Sequence, residues 1–263
     1  MELSSSQLAE TVHRFRTTTR RLQTLLEEIV TERDRNQRKL LKILDRIRRR
    51  AGKVRDLDAQ LAALRSLKIP QEPRRKTQLT QSLIELRAKH EKTLRKMLTK
   101  DLIRDVRKRL KRAFKELALQ ASGDPLAVAR QMLDRVARPA GPLSEDVLHQ
   151  YRTVVKRARY AAEFAPKSTK SAQFIAEMKR MQDVIGNWHD WLTLTQTASG
   201  RLGAVNESSL VAALHNVTSG KLRHAVAALS ASPAIQSRLK VVPASSEPAR
   251  KPSTIEAQAD SAA

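Results

Sequence analysis

This chain of 263 residues has no cysteine, which excludes disulfides, a thiol nucleophile and cysteine-ligated zinc. Aromatic residues make up 3% of it: two Trp, two Tyr and four Phe. Modules that read single-stranded nucleic acid stack bases on such rings, so base readout has few platforms here. No run of about 18 apolar residues is present, so nothing spans a membrane. The opening Met-Glu-Leu-Ser-Ser-Ser lacks the apolar core of a signal peptide, and a cytoplasmic protein is expected. There is no Gly-rich Walker loop, no His-Glu-x-x-His and no Gly-x-Ser-x-Gly. Acid is the scarcest resource: 27 Asp and Glu face 51 Lys and Arg, for a net charge of +24 and a pI near 11.1. Without carboxylate clusters on the basic faces, metal-assisted phosphoryl chemistry lacks its usual parts. We therefore expect no enzyme, no cofactor and no metal site. The imbalance points to a polyanionic partner: nucleic acid, polyphosphate or an anionic surface.

What is present is helical periodicity. Residues 147–160 read Val-Leu-His-Gln-Tyr-Arg-Thr-Val-Val-Lys-Arg-Ala-Arg-Tyr. At about 100° per residue, Val147, Leu148, Tyr151, Val154, Val155 and Ala158 share one face. His149, Arg152, Lys156 and Arg159 share the other, with Arg157 beside them and no acid among them. The same order occurs earlier, where His13, Phe15, Arg16, Arg20 and Arg21 match His149, Tyr151, Arg152, Lys156 and Arg157 (149 − 13 = 136). Gly52, Arg55 and Asp56 likewise match Gly186, His189 and Asp190 (190 − 56 = 134). Two landmarks in one order at nearly one spacing indicate an internal duplication.

The spacing predicts helices over about 7–31, 33–67, 77–99, 101–120, 126–137, 144–166, 168–199 and 205–230, the third and fourth forming one bent rod. Asp124 should cap a helix that starts at Pro125, and Ser144 should open the one carrying His149. Gly52 inside the second helix marks a kink or a close contact, since glycine there costs about 1 kcal/mol relative to alanine. The expected fold is all-α, in two four-helix bundle-like halves over 5–122 and 123–230 related by pseudo-twofold symmetry. A Pro-, Ser- and Ala-rich tail over 231–263 is expected to be disordered.

Basic stripes recur on other helices. Lys42, Arg46, Arg49 and Lys53 keep helical steps on the second, and Arg104, Lys108, Lys111 and Lys115 on the fourth. A helical turn rises about 5.4 Å, so such a stripe sets one cation every 5 or 6 Å, comparable to phosphates along an extended chain. Arginine can fork two phosphate oxygens, whereas lysine supplies a mobile point charge. A basic stripe on a single helix is usually no more than a solvated face; its repetition in both halves, led by a histidine, favours binding. The pair His189 and Asp190 reads as structural, because Arg55 stands at the matching position and arginine serves as neither base nor metal ligand. Trp188 and Trp191 read as core or interface residues.

These motifs resemble the CHAD family, the conserved-histidine α-helical domain, whose pattern is a His-x-x-Arg-x-x-x-Lys-Arg-x-Arg-Tyr helix followed by a Gly-x-x-His-Asp helix. The resemblance covers roughly 5–230. It implies two four-helix bundles, binding of inorganic polyphosphate through a basic surface and central cavity, and recruitment to polyphosphate granules. Carried over by motif, the binding residues are His13, Arg16, Arg20, Arg21, His149, Arg152, Lys156, Arg157 and Arg159, to which the stripe adds Lys42, Arg46, Arg49 and Lys53. Gln23 stands where the second half has Arg159, so the first stripe is shorter. The alternative function is non-specific binding of nucleic acid through phosphate contacts alone.

Overall fold

The computed structural model describes residues 5–30, 33–68, 72–117, 124–136, 144–203 and 205–233. Among them the fold is all-α, with no strand. The helices are α1 (Ser5–Thr24), α2 (Arg35–Ser66), α3 (Pro73–Met97), α4 (Lys100–Leu117), α5 (Pro125–Asp134), α6 (Glu145–Ala162), α7 (Thr169–Leu202) and α8 (Ser209–Ser230). A π-helical segment, Leu25–Ile29, extends α1. The proposed boundary at 122/123 lies outside the described residues, as does the expected tail beyond 233.

Local chemistry sets the starts. Asp34 accepts the Gln37 amide at 2.6 Å while the Gln37 side chain accepts the Asp34 amide at 3.3 Å, a capping box for α2. Asp124 accepts the Leu126 amide at 2.9 Å with Pro125 in the first turn, and Ser144 accepts the Val147 amide at 3.4 Å. α3 and α4 are separated by a break next to the expected boundary at 99/101. Leu98 leaves the helical region at ψ 62°, and Thr99 restarts the chain by accepting the Leu102 amide at 3.2 Å. α2 runs unbroken through Gly52.

Two apolar clusters organise the molecule around α7. In one, Leu148, Tyr151, Val155 and Ala158 of α6 meet Leu133 of α5, Met178, Ile185 and Trp188 of α7 and Leu229 of α8. In the other, Leu57, Leu61 and Leu64 of α2 and Leu79 and Leu83 of α3 meet Trp191 and Leu194 of α7 and Leu210 and Leu214 of α8. Both tryptophans are buried, Trp188 completely. Each buried leucine contributes about 2 kcal/mol. The second cluster crosses the boundary inferred between the halves, so α1–α4 and α5–α8 share core. Arg87 of α3 adds a polar tie, 2.6 Å from both Asp58 of α2 and Glu91 of its own helix.

This packing places the two matched pairs of helices together. α1 packs on α2 and α6, and α2 and α6 both pack on α7. The basic faces of α1 and α6 therefore end beside the glycine-bearing stretches of α2 and α7.

Candidate functional site

A cavity of about 380 Å³ opens where these four helices meet. α1 contributes His13, Arg16 and Arg20; α6 contributes Arg152, Lys156 and Tyr160. α2 adds Arg55 and Asp56, and α7 adds Asp183, Gly186 and Asp190. A smaller depression of about 180 Å³ adjoins it, sharing Arg20, Arg152, Lys156 and Tyr160 and extending past Arg48 of α2 to Arg157. Together they form one trough with Arg20, Arg152 and Lys156 at its waist.

The waist lacks ion pairs among the described residues, and acids act on it only from a distance. Among the described residues, none of these three cations has a carboxylate within ion-pair distance or a hydrogen-bond partner. Burial and the neighbouring Arg152, Arg20 and Arg16 push the Lys156 ammonium down to about 7. Burial, with Arg16 next to it, brings Arg20 down to about 10. Burial also lowers Arg152, partly offset by the more distant Asp190 and Asp56. The Nε atoms of Arg16 and Arg152 are buried without hydrogen-bond partners. Each effect has one cause: positive charge held in low dielectric beside more positive charge.

The rim is better satisfied. Arg16 Nη2 lies 3.6 Å from Asp56, and its guanidinium lies over Gly52, where a Cβ would stand 3.6 Å from Nε. That distance is an ordinary van der Waals contact and α2 runs unbroken through it, so Gly52 marks neither a kink nor a contact that only glycine allows. Arg55 donates to His13 Nδ1 at 3.3 Å, leaving Nε2 of that ring as its donor. Burial, then Arg55 and Arg16, lower the His13 pKa. Burial and then Arg152 hold His189 at about 3, so its ring is neutral, with Nδ1 buried and unpartnered. Burial raises Asp190, though nearby cations pull the other way.

The predicted residues divide. His13, Arg16, Arg20, Arg152 and Lys156 line the main cavity, and Arg157 lines its extension, paired there with Glu28 and 3.6 Å from Glu27. His149 is exposed and lines neither part; its ring sits edge-on to His189 at 4.8 Å. Arg21 is held by Glu163 at 2.6 Å, and Arg159 stacks on Tyr160 at 4.7 Å with Glu163 at 3.7 Å. Lys42, Arg46, Arg49 and Lys53 are exposed on α2; the last three line a separate depression with Arg50, and Arg49 pairs with Asp45 at 2.5 Å. α2 turns a different face to the trough: Arg48, Gly52, Arg55 and Ala59, in helical register. Sequence reasoning missed Arg48 and Arg55 as site residues, although a glycine between them on one face was the available signal.

Among the described residues, no group of three or more His, Asp or Glu side chains is placed to hold a metal, and no helix is long and apolar enough to cross a membrane. Fold and site together define an all-α protein with a buried, cation-lined trough. The CHAD domain family model matches residues 3–199, most of the chain, and the protein belongs to that family. No curated protein and no solved structure matches the chain. α8 lies beyond the matched region, yet its Leu210, Leu214 and Leu229 complete both apolar clusters.

Proposed function

We propose that the trough binds inorganic polyphosphate without turning it over, and that this binding can carry the protein to polyphosphate granules in the cytoplasm. The observation that carries the proposal is the waist, where Arg20, Arg152 and Lys156 converge from two helices with no carboxylate in ion-pair distance among the described residues. Leaving three cations partly buried and unpaired is costly unless an anion relieves them. Along α1 and α6 the cations repeat at one-turn intervals, and the trough extends in both directions from the waist, which suits a linear chain of charges. Scarce acid and the absence of catalytic motifs support binding without turnover.

The test is a titration of defined-length polyphosphate against wild type and the double variant Arg152→Glu/Lys156→Glu. Long chains should bind tightly, chains of three phosphates weakly, and affinity should fall steeply with salt as counterions are released. The double variant should lose most of the affinity while remaining helical. Long polyphosphate binding no better than an equal concentration of sulfate refutes the proposal. Displacement by duplex DNA at equal phosphate concentration assigns the site to nucleic acid, and chain shortening with Mg²⁺ or Mn²⁺ assigns it to an enzyme.

A further inference from the structure

Lys156 combines three features that the exposed lysines of the chain do not share together. It is half-buried, it has no anionic partner among the described residues, and both parts of the trough reach it. Arg20 and Arg152 beside it present guanidiniums suited to a phosphoryl group. An anion drawn to them arrives next to an amine. We propose that Lys156 is an acylation site for small anionic acyl phosphates, whose phosphoryl group is held by Arg20 and Arg152 while Nζ faces the acyl carbon. The inference rests on the anion-binding reading of the trough.

The step balances without an oxidant or a further reactant. The neutral Nζ attacks the carbonyl carbon and a C–N bond forms. The bond from that carbon to the bridging phosphate oxygen breaks, and inorganic phosphate leaves with the electron pair. The amine proton passes to solvent. The resulting amide is uncharged, so acylation removes one of the three waist cations and weakens anion binding.

The proton balance of the amine supports this chemistry. With its ammonium at about 7, roughly three-quarters of Lys156 is neutral at pH 7.5, against about one part in a thousand for an ordinary lysine. A less basic amine is a weaker nucleophile; applying a Brønsted slope of about 0.4–0.5, as for thiols, removes about 20- to 50-fold of that gain. About a tenfold advantage remains before any recruitment by the arginines.

The experiment treats the full chain with acetyl phosphate at pH 7.5 and follows site occupancy by peptide mass spectrometry. Lys156 should acylate about tenfold or more faster than exposed Lys108 and Lys167. A neutral acylating ester tests recruitment: selectivity for Lys156 should be larger with acetyl phosphate than with the ester, and Arg20→Ala should reduce that difference. Lys156 reacting no faster than Lys108 overturns the inference, as does equal selectivity with both reagents. Long polyphosphate added beforehand separates the two readings. Selective acylation that polyphosphate does not slow leaves the inference standing and removes polyphosphate from the site. Tight polyphosphate binding with unselective acylation does the reverse.

Discussion

Binding of polyphosphate should take up a proton. In the free protein, the Lys156 ammonium sits at about 7 because burial and Arg152, Arg20 and Arg16 oppose its charge. Its other surroundings are mixed: Arg55, Asp56, Asp45 and Arg48 on α2, Arg157 and Tyr160 on α6, and Asp183 and Asp190 on α7. None pairs with the amine. A phosphate chain in the trough replaces repulsion with attraction and returns the amine toward its ordinary value of about 10.4. At pH 8 free Lys156 then carries about 0.1 proton and the complex about one, so each binding event takes up about 0.9 proton. The sign follows by linkage. Below about pH 7 the amine is charged in both states and contributes no pH dependence. Above it, affinity should fall by nearly tenfold per pH unit until the pKa of the complex is reached. His13, whose pKa is also lowered, starts from below the ordinary histidine value and adds uptake only on the acid side. Calorimetry at pH 8 in two buffers of different ionisation enthalpy counts the protons directly. No uptake by wild type, or the same uptake by Lys156→Met, refutes the electrostatic account of the waist.

Lys156→Met should stabilise the ligand-free fold by about 2 kcal/mol at pH 7 while weakening binding, because it removes a half-buried charge that lies beside Arg152, Arg20 and Arg16 and has no ion-pair partner among the described residues. Since the folded pKa lies below the unfolded one, wild-type stability should rise with pH between about 7 and 10.4, a slope the variant should lack; urea titrations at pH 7 and 9 check both. A Cβ at Gly186 meets nothing within 4 Å and Gly186 lines the cavity, so Gly186→Leu should fill it. That variant gains about 1 kcal/mol of helix propensity yet should lose polyphosphate binding, as thermal melts and titration will report. Arg87→Ala strands the half-buried Asp58, while Glu91 keeps Arg95, and should cost about 3 kcal/mol in urea unfolding, with polyphosphate affinity unchanged because Arg87 lies outside the trough.

Much of the fold was legible because it is written locally. Apolar residues at helical spacing and caps such as Asp124 and Ser144 locate helices whatever surrounds them. The break at Leu98 and Thr99 falls beside the expected boundary at 99/101, although no proline or glycine announces it. At the site, Arg16, Arg20, Arg152 and Lys156 could be named from matched one-turn spacing. Their neighbours could not. His149 and His13 share a motif position, yet His13 lines the cavity with Arg55 while His149 lies outside it against His189. On α2 the most regular stripe, from Lys42 to Lys53, faces outward, while Arg48 and Arg55 face in.

The sequence alone determined that the protein is helical, strongly basic and a candidate for holding a chain of phosphates. Those properties follow from composition and from the angle between successive side chains on one helix. Which arginines are neutralised was decided only by tertiary packing. Glu163 meets Arg21 across 142 residues of chain, and Glu28 meets Arg157, whereas among the described residues no carboxylate comes within ion-pair distance of Arg20, Arg152 or Lys156. Charge acts through space and through the local dielectric, so a row of identical cations becomes pinned rim and unpaired waist only once the helices have packed.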